Sequence, residues 1–356
     1  MGEHDDNTLA NIEHGLVVVQ PLDDRQQWEK YLAEHHAHTF LHSWAWGEFN
    51  RRQGHQIFRL GFFNTVGERE LRAVALVVHV TARRGSFLLC PHGPVVTPED
   101  AGPVIRALTA YLRSLGTQLH ARFIRLCTQL PDQPEFQSLL RQHGYRPAPI
   151  HLHPELAWLL NLQPSEPELL AGMRKTMRNL VRRSQRAGIT IRPVQSSAEF
   201  SQFLELYRQT ADRHHYVAFP EAYLVDELAS FGTQDALILL AEHSGTLLAG
   251  AFIVFSGRSA FYHHGASQPS SNHLPAAYLL QWEAIRSARR RGCQWYNFWG
   301  IAPRGSTRHP WAGLTQFKQG FGGFSQAYLH AQDYPLRLSY WVTYIIERAR
   351  RFRRGL

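Results

Sequence analysis

At 356 residues, 44% hydrophobic and with nine Trp, thirteen Tyr and twenty Phe, the chain holds ample material for packed cores and exceeds what one core usually fills. Wholesale disorder is excluded and two domains are predicted. A formal charge of +9 implies attraction to polyanions: nucleic acid, nucleotides or an anionic membrane face.

The amino-terminal stretch "MGEHDDNTLANIEHG" is acidic and polar, opposite to the basic-then-apolar order of a signal peptide. No apolar run reaches the length of a membrane span. Cys90, Cys127 and Cys293 are scattered without CxxC spacing, which suggests neither a disulfide framework nor a zinc site. A cytoplasmic protein is the expectation. Along residues 16–150, "DDRQQWEKYLAEH" reads as a helix, "HQIFRLGFF" and "RAVALVVHVTA" as strands, and "GPVIRALTAYLRSLG" as a helix closed by Gly116. The four histidines of "HHAHTFLH" (His35, His36, His38, His42) lack a carboxylate or cysteine to complete a metal site, so no metal is expected.

At "LNLQPSEPELL", Ser165 can cap a helix and Glu168 can return the capping bond, which puts a domain boundary near Gln163. Domain 1 is then 1–163, completed by a C-terminal helix over 333–356, and domain 2 is 164–332. The stretch "LLAGMRKTMRNLVRRSQRAG" predicts one helix with Leu169, Met173, Met177 and Leu180 on its apolar stripe. Its other faces carry Arg174, Lys175, Arg178, Arg182, Arg183 and Arg186 with no acidic residue among them. This is either a solvated face or a surface for a phosphate-rich partner.

Two helices follow (197–215, 221–232), then three strands (236–243, 247–256, 259–267) with turns at Ser244-Gly245 and Gly257. A helix (275–292), a strand (294–301), the segment "TQFKQGFGG" and a strand-like "QAYLHAQ" complete the second half. This is the order of a GNAT-type acyltransferase domain within an α/β protein. Acetyl-CoA fits poorly: the junction "GASQPSSNHLPAAY" lacks the Q/R-x-x-G-x-G/A phosphate loop, and Pro275 removes a donor. The last segment, "LRLSYWVTYIIERARRFRRG", aligns Leu338, Trp341, Val342, Ile345, Ala349 and Phe352. That face packs back on the body or meets anionic lipid, and both can hold along different parts of it.

Lysine is rare here: it occurs at 30, 175 and 318 among 38 Lys+Arg. Lys318, between Phe317 and Phe321 in a glycine-rich stretch, therefore reads as a place where a compact ammonium is wanted.

The run "FYHHGASQPSSNHLPAAYLLQWEAIRSARRRGCQWYNFWGI" followed by "GLTQFKQGFGG" resembles the core of the Fem family of peptidoglycan-bridge aminoacyltransferases. The resemblance extends through "MRKTMRNLVRRSQRAG" and "FLHSWAWGEFNRRQG" to "LLCPHGPVV", nearly the whole chain. It implies two GNAT-like domains, the C-terminal helix returning to the first, and transfer of an amino acid from aminoacyl-tRNA to a stem-peptide amine of a UDP-linked or lipid-linked precursor. Contact with the inner membrane face is a further expectation; neither metal nor CoA is required. The family's helical hairpin has no room between Gly188 and Ser197.

By the same resemblance Lys318, with Phe317 beside it, stabilises the tetrahedral oxyanion, a role that a slim ammonium between aromatic walls could fill. A surface lysine or a phosphate-binding one are the other readings. Arg213 matches an arginine that contacts precursor phosphates, or else a helix-end arginine paired to a carboxylate. Tyr262 and His264, at alternate positions, are expected on one strand face, Tyr262 as a substrate contact and His264 as a substrate contact or a base. Asn297 stands where aspartate is common. Asn50 stands where a precursor-binding lysine is found, with Arg51 or Arg52 as substitutes, and Trp44 and Trp46 read as core or cleft wall. The acceptor is expected between Arg51, Arg213 and Lys318, and the tRNA along the Arg174 to Arg186 face. Other amide-forming acyl transfers, to a protein N-terminus or a small metabolite, and a non-catalytic RNA-binding protein of this fold are the competing readings.

Overall fold

The computed structural model describes residues 12–14, 17–35, 38–82, 85–269, 274–306 and 309–354. The acidic stretch read against a signal peptide, His36, and residues 270–273 of the junction lie largely or wholly outside them. The chain forms two compact units, Met1–Glu155 with Ala327–Leu356, and Leu156–Gln326. The boundary expected at Gln163 falls earlier because Leu156–Asn161 is a strand whose ladder partner is Trp295–Gly300, in the second sheet.

In the first unit the sheet runs, in spatial order, Ile12–His14, Val17–Pro21, Gln56–Asn64, Leu71–Ala82, Gly85–Pro91, Phe123–Cys127, Gln332–Pro335, Arg146–Pro147. Its pairs are antiparallel except that between Gly85–Pro91 and Phe123–Cys127. The near-continuous apolar run of Leu71–Ala82 is a strand buried on both faces. Ala73, Ala75 and Val77 point into the cluster that holds Leu108, Tyr111 and Leu112 of the helix Ala101–Gln118, while Val74, Leu76 and Val78 are buried outside that cluster.

"QAYLHAQ" is not one strand. Phe324–Ala327 ends the second sheet, and Gln332–Pro335 inserts into the first. The C-terminal helix Tyr340–Arg354 is held by the buried ring of Tyr340 and by Glu347, which pairs with Arg125 at 2.7 Å. Most of its apolar stripe faces outward: Leu338 is 88%, Val342 57%, Ile345 65% and Phe352 88% exposed, while Trp341 lies against the body with the Arg146 guanidinium 4.8 Å from its ring. Among the described residues no helix is long and apolar enough to cross a membrane.

The second unit follows the expected order. Its sheet runs Thr190–Pro193, Ala236–His243, Thr246–Ser256, Ser259–Ser267, Trp295–Gly300, Leu156–Asn161, Phe324–Ala327. Thr190–Pro193 occupies the interval judged too short for a helical hairpin. Ser244 and Gly245 both take positive φ, as a tight hairpin turn requires. Ser259–Ser267 and Trp295–Gly300 are parallel, and their pairing spans only Ser259–Phe261 against Trp295–Asn297. Two irregularities lie beside this short ladder. One breaks the register between Phe252 and Ile253 opposite Ser259–Ser267, the other between Asn297 and Gly300.

Candidate active site

Lys318 lies in the last turn of the helix Ala312–Gln319 and is 4% exposed, which removes the surface-lysine reading. Its Nζ donates to the Gly300 carbonyl at 2.6 Å. That carbonyl is aimed by the end of the preceding strand. Trp299 adopts φ 67°, a left-handed conformation costly for a bulky residue, and its N–H donates to Asn297 Oδ1 at 2.7 Å. Asn297, 1% exposed, thus secures a bulge, a role an amide fills without acid-base chemistry. Thr315, one helical turn before Lys318, accepts from the Ala302 N–H at 2.8 Å and fixes the helix to the segment after the bulge.

Burial pushes the Lys318 ammonium down to about 7. No carboxylate forms an ion pair with it among the described residues. Phe317 and Phe321 do not sandwich the ammonium. Four residues apart on the helical path, their rings meet each other edge-on with centroids 5.3 Å apart, and Phe317 also touches Tyr278 at 5.3 Å.

The glycines after Lys318 are there for close approach. A Cβ on Gly320 would overlap Met177, and one on Gly323 would overlap the Leu159 carbonyl oxygen. Gly322 and Gly323 also take positive φ, and the Gly322 carbonyl accepts from Trp158 Nε1 at 2.7 Å. This segment lodges against a break in the basic stretch. The single helix expected from 169 to 188 is two, Glu166–Gly172 and Lys175–Arg186. Met173 and Arg174 are extended between them, and the Arg174 N–H donates to the Gly320 carbonyl at 2.9 Å. Ser165 and Glu168 form the expected capping box.

Of the basic residues on this stretch, Arg174, Lys175, Arg182, Arg183 and Arg186 are exposed. Arg178 is not available in the same way: its guanidinium folds onto the carbonyls of Leu170, Ala171 and Met173, closing the end of the first helix.

Among the described residues Arg213 pairs with no carboxylate. It donates to the Ser267 carbonyl at 2.6 Å and to Ser267 Oγ at 3.3 Å, linking the end of helix Ser197–His214 to the end of the strand Ser259–Ser267. Tyr262 and His264 do not share a face. The bulge opposite Phe252/Ile253 adds one residue between them, so Tyr262 joins the core around helix Ala276–Arg290 while His263 and His264 both turn to the other side. There they meet Glu227, wholly buried on helix Glu221–Asp235: His263 Nε2 lies 2.6 Å from Oε1 and His264 Nε2 2.8 Å from Oε2. Desolvation pushes the Glu227 carboxyl up, but the two imidazoles outweigh it and hold it down at about 2. Sequence reading missed Glu227. Its signal is an acid on the apolar stripe of a helix, three residues after Leu224 and four before Phe231, both buried.

In the first unit Asn50 is buried and donates from Nδ2 to the Trp46 carbonyl at 2.8 Å, one turn back in its own helix, so it does not replace a substrate-facing lysine. Arg51 pairs with Glu48 at 2.8 Å, and Arg52 is exposed. Beneath them Arg59, 4% exposed and also missed in sequence, stacks on Trp44 at 3.6 Å and donates to Glu48 at 2.9 Å. Its Nε and Nη1 have no hydrogen-bond partner among the described residues. Trp46 is core. The histidine run disperses: His35 stacks on Tyr31, the His38 carbonyl accepts from Gln129, and His42 Nε2 accepts from the Leu76 N–H while burial pushes its imidazolium down to about 3.

Two sheets with the helix and strand order of GNAT domains define a tandem acyltransferase fold. The chain aligns with the crystal structure of FemX at a TM-score of 0.80, with 17% identity over 92% of this chain and 99% of that one. It aligns with a tandem GNAT protein from the clavulanic acid biosynthesis pathway at 0.53, with 11% identity over 90% and 98%. The FemAB family model matches residues 135–244 and 242–348, and the chain belongs to the FemAB family. Among curated relatives, it is 24% identical over 242 residues to a UDP-N-acetylmuramoylpentapeptide-lysine N(6)-alanyltransferase of Weissella viridescens, covering 65% of this chain and 71% of the relative. It is 30% identical over 103 residues to a lipid II:glycine glycyltransferase of Staphylococcus haemolyticus, covering 29% of this chain and 25% of the relative.

Proposed function

We propose that this aminoacyltransferase moves an amino acid from aminoacyl-tRNA to the stem-peptide amine of a peptidoglycan precursor, forming an interpeptide bridge. The observation that carries the reading is the buried, singly tethered Lys318. In the reaction the acceptor nitrogen attacks the ester carbonyl and the new C–N bond forms first; collapse of the tetrahedral adduct then breaks the C–O bond to the ribose, and the amine's proton leaves with the ribose hydroxyl. Between those events the carbonyl oxygen carries a full charge. Gly300 occupies one Nζ proton of Lys318 and leaves two for the oxyanion. A donor already desolvated and oriented needs no reorganisation at that moment. The relatives named for alanyl and glycyl transfer to pentapeptide and lipid II acceptors support the acceptor class.

The reading is tested by supplying a charged total-tRNA pool with UDP-linked and lipid-linked stem peptides and following label into each. Label in neither acceptor overturns it, and label in a protein or small-molecule fraction redirects it to those acceptors.

The exposed cations from Arg174 to Arg186 suit the tRNA backbone. Replacing Arg182, Arg183 and Arg186 together by Ala is expected to raise KM for aminoacyl-tRNA with kcat little changed. It should also flatten the dependence of log affinity on log salt by about 2 to 3, since each phosphate contact contributes about 0.7–0.9. An unchanged slope would remove the tRNA from this face.

Peripheral membrane contact is favoured by the outward stripe Leu338, Val342, Ile345 and Phe352 beside the exposed Arg348 and Arg350. An apolar face flanked by arginines lies in the interface of anionic bilayers. Co-sedimentation with phosphatidylglycerol vesicles, and much less with phosphatidylcholine ones, is the expected result. Ile345→Asp should reduce it roughly tenfold or more, because a buried apolar side chain is worth about 1.5–3 kcal/mol.

A further inference from the structure

We propose that Glu227, His263 and His264 are the protein ligands of a divalent transition-metal site, with zinc the ion their chemistry favours. Among the described residues these are the His, Cys, Asp and Glu side chains that converge closely enough to share an ion: one ligand atom from each lies within 4.8 Å of the others.

Three features of the fold bring them there. In a regular strand His263 and His264 would point to opposite faces. The register break opposite Phe252/Ile253 turns both the same way, and bulges of this kind re-aim side chains where a site needs them. Each ring then presents Nε2, at 2.6 and 2.8 Å, to a different oxygen of the same carboxylate. The ring centroids are 3.9 Å apart and tilted by 41°, so the two imidazoles are neighbours and not a stacked pair. Finally, the carboxylate comes from the apolar stripe of its helix and is 0% exposed.

An acidic side chain so deep, set between two imidazoles, is an unusual feature for a helix's apolar stripe and calls for a cationic partner within the cluster. One divalent cation between the two Nε2 atoms and the carboxylate supplies it, each ring binding through Nε2 with its proton on Nδ1. Two imidazole nitrogens and one carboxylate suit zinc and its first-row neighbours; magnesium and calcium prefer all-oxygen shells. The surroundings are those of a built site. Tyr207, Phe219 and Phe252 ring His264 at 5.5, 5.8 and 5.7 Å, an apolar shell that limits competition from water. Such an ion would tie helix Glu221–Asp235 to the strand Ser259–Ser267. Three protein ligands also leave a fourth position for water or a substrate atom.

The test is independent of aminoacyl transfer. The untagged full chain is stripped with chelator and titrated with zinc by equilibrium dialysis and elemental analysis, and separately with cobalt(II), whose visible spectrum reports nitrogen and oxygen ligation at low coordination number. One ion per chain is expected. Glu227→Gln and His264→Gln, which nearly preserve shape, should each weaken binding roughly 100-fold or more, at or beyond the upper end of what losing a supporting outer-shell group costs. Zinc should raise Tm of the wild type and leave that of Glu227→Gln unchanged. Should a variant fail to fold, the wild-type cobalt spectrum and Tm shift still decide. Wild type that binds no ion, or variants that bind as tightly as wild type through others of the 21 histidines, would overturn the proposal.

Discussion

Lys318→Met should abolish transfer and at the same time stabilise the protein. The substitution keeps the length and apolar stem of the side chain and removes only the ammonium. Losing one oxyanion donor costs about 10²–10³ in kcat, and here the donor is also a charge in a desolvated setting, so a loss at the top of that range is expected. Lys318→Arg should rescue little, because a planar fork is wider and spreads its charge.

The stability effect follows from burial alone. Folding carries the lysine from an ordinary 10.5 to about 7, which at about 1.4 kcal/mol per pH unit is a cost of roughly 4–5 kcal/mol, the upper bound of what Met would recover. Structural relaxation makes about 2–4 kcal/mol the expected gain at pH 7. The sign fixes its pH dependence. Below about 7 the folded and unfolded chains are both protonated at this lysine and the penalty is complete. From about 7 to 10.5 only the unfolded chain is protonated, so wild-type stability climbs with pH and the gap between mutant and wild type closes. For catalysis the required ammonium of the free enzyme is lost over the lower part of that window, and wild-type kcat/KM should carry a falling limb near pH 7. A Met variant that is inactive but no more stable than wild type would mean the ammonium is better solvated than its 4% exposure indicates.

What could be read from the sequence, and what could not, divides along one physical line. Periodicity and turn residues are local, and they located the meander from Ala236 to Ser267, its Ser244-Gly245 turn and the capping box at Ser165 and Glu168. The bulge that separates Tyr262 from His264 is set by register against Thr246–Ser256, and no residue of "FYHHGAS" announces it. The break at Met173-Arg174 looks helical in sequence. It is imposed by Gly320, whose carbonyl takes the Arg174 N–H and whose missing Cβ admits Met177. The C-terminal helix shows the same limit. Spacing identified its apolar stripe, but which way a stripe faces depends on what anchors the opposite side. Here that is Tyr340 and Glu347.

That anchor carries the second large effect. Arg125→Met should lower stability by about 3–5 kcal/mol, the range for removing one partner of a buried ion pair. Arg125 is 1% exposed on the strand Phe123–Cys127. It grips Asp333 with Nε at 2.7 Å and Nη2 at 2.8 Å, and Glu347 with Nη2 at 2.7 Å. Burial alone would disfavour its charge, but the two carboxylates more than offset that. Tyr340 donates its hydroxyl proton to Asp333 Oδ2 at 3.2 Å. Methionine fills the same path but leaves the wholly buried Asp333 and the 15%-exposed Glu347 without a cation. Glu347→Gln should cost less, because that carboxylate lies at the rim and Asp333 keeps its bidentate partner. The triple variant Arg125→Met, Asp333→Asn, Glu347→Gln should recover more than half of the loss, since the penalty lies in the orphaned charges and not in missing attraction. Chemical denaturation measures all three. Asp333 lies on the strand Gln332–Pro335, inserted between Phe123–Cys127 and Arg146–Pro147, and Glu347 lies on the helix that follows. The same arginine therefore closes the first sheet and sets which side of the helix faces outward. Arg125→Met should accordingly lose binding to phosphatidylglycerol vesicles at temperatures where the rest of the protein remains folded, whereas the triple variant should regain it.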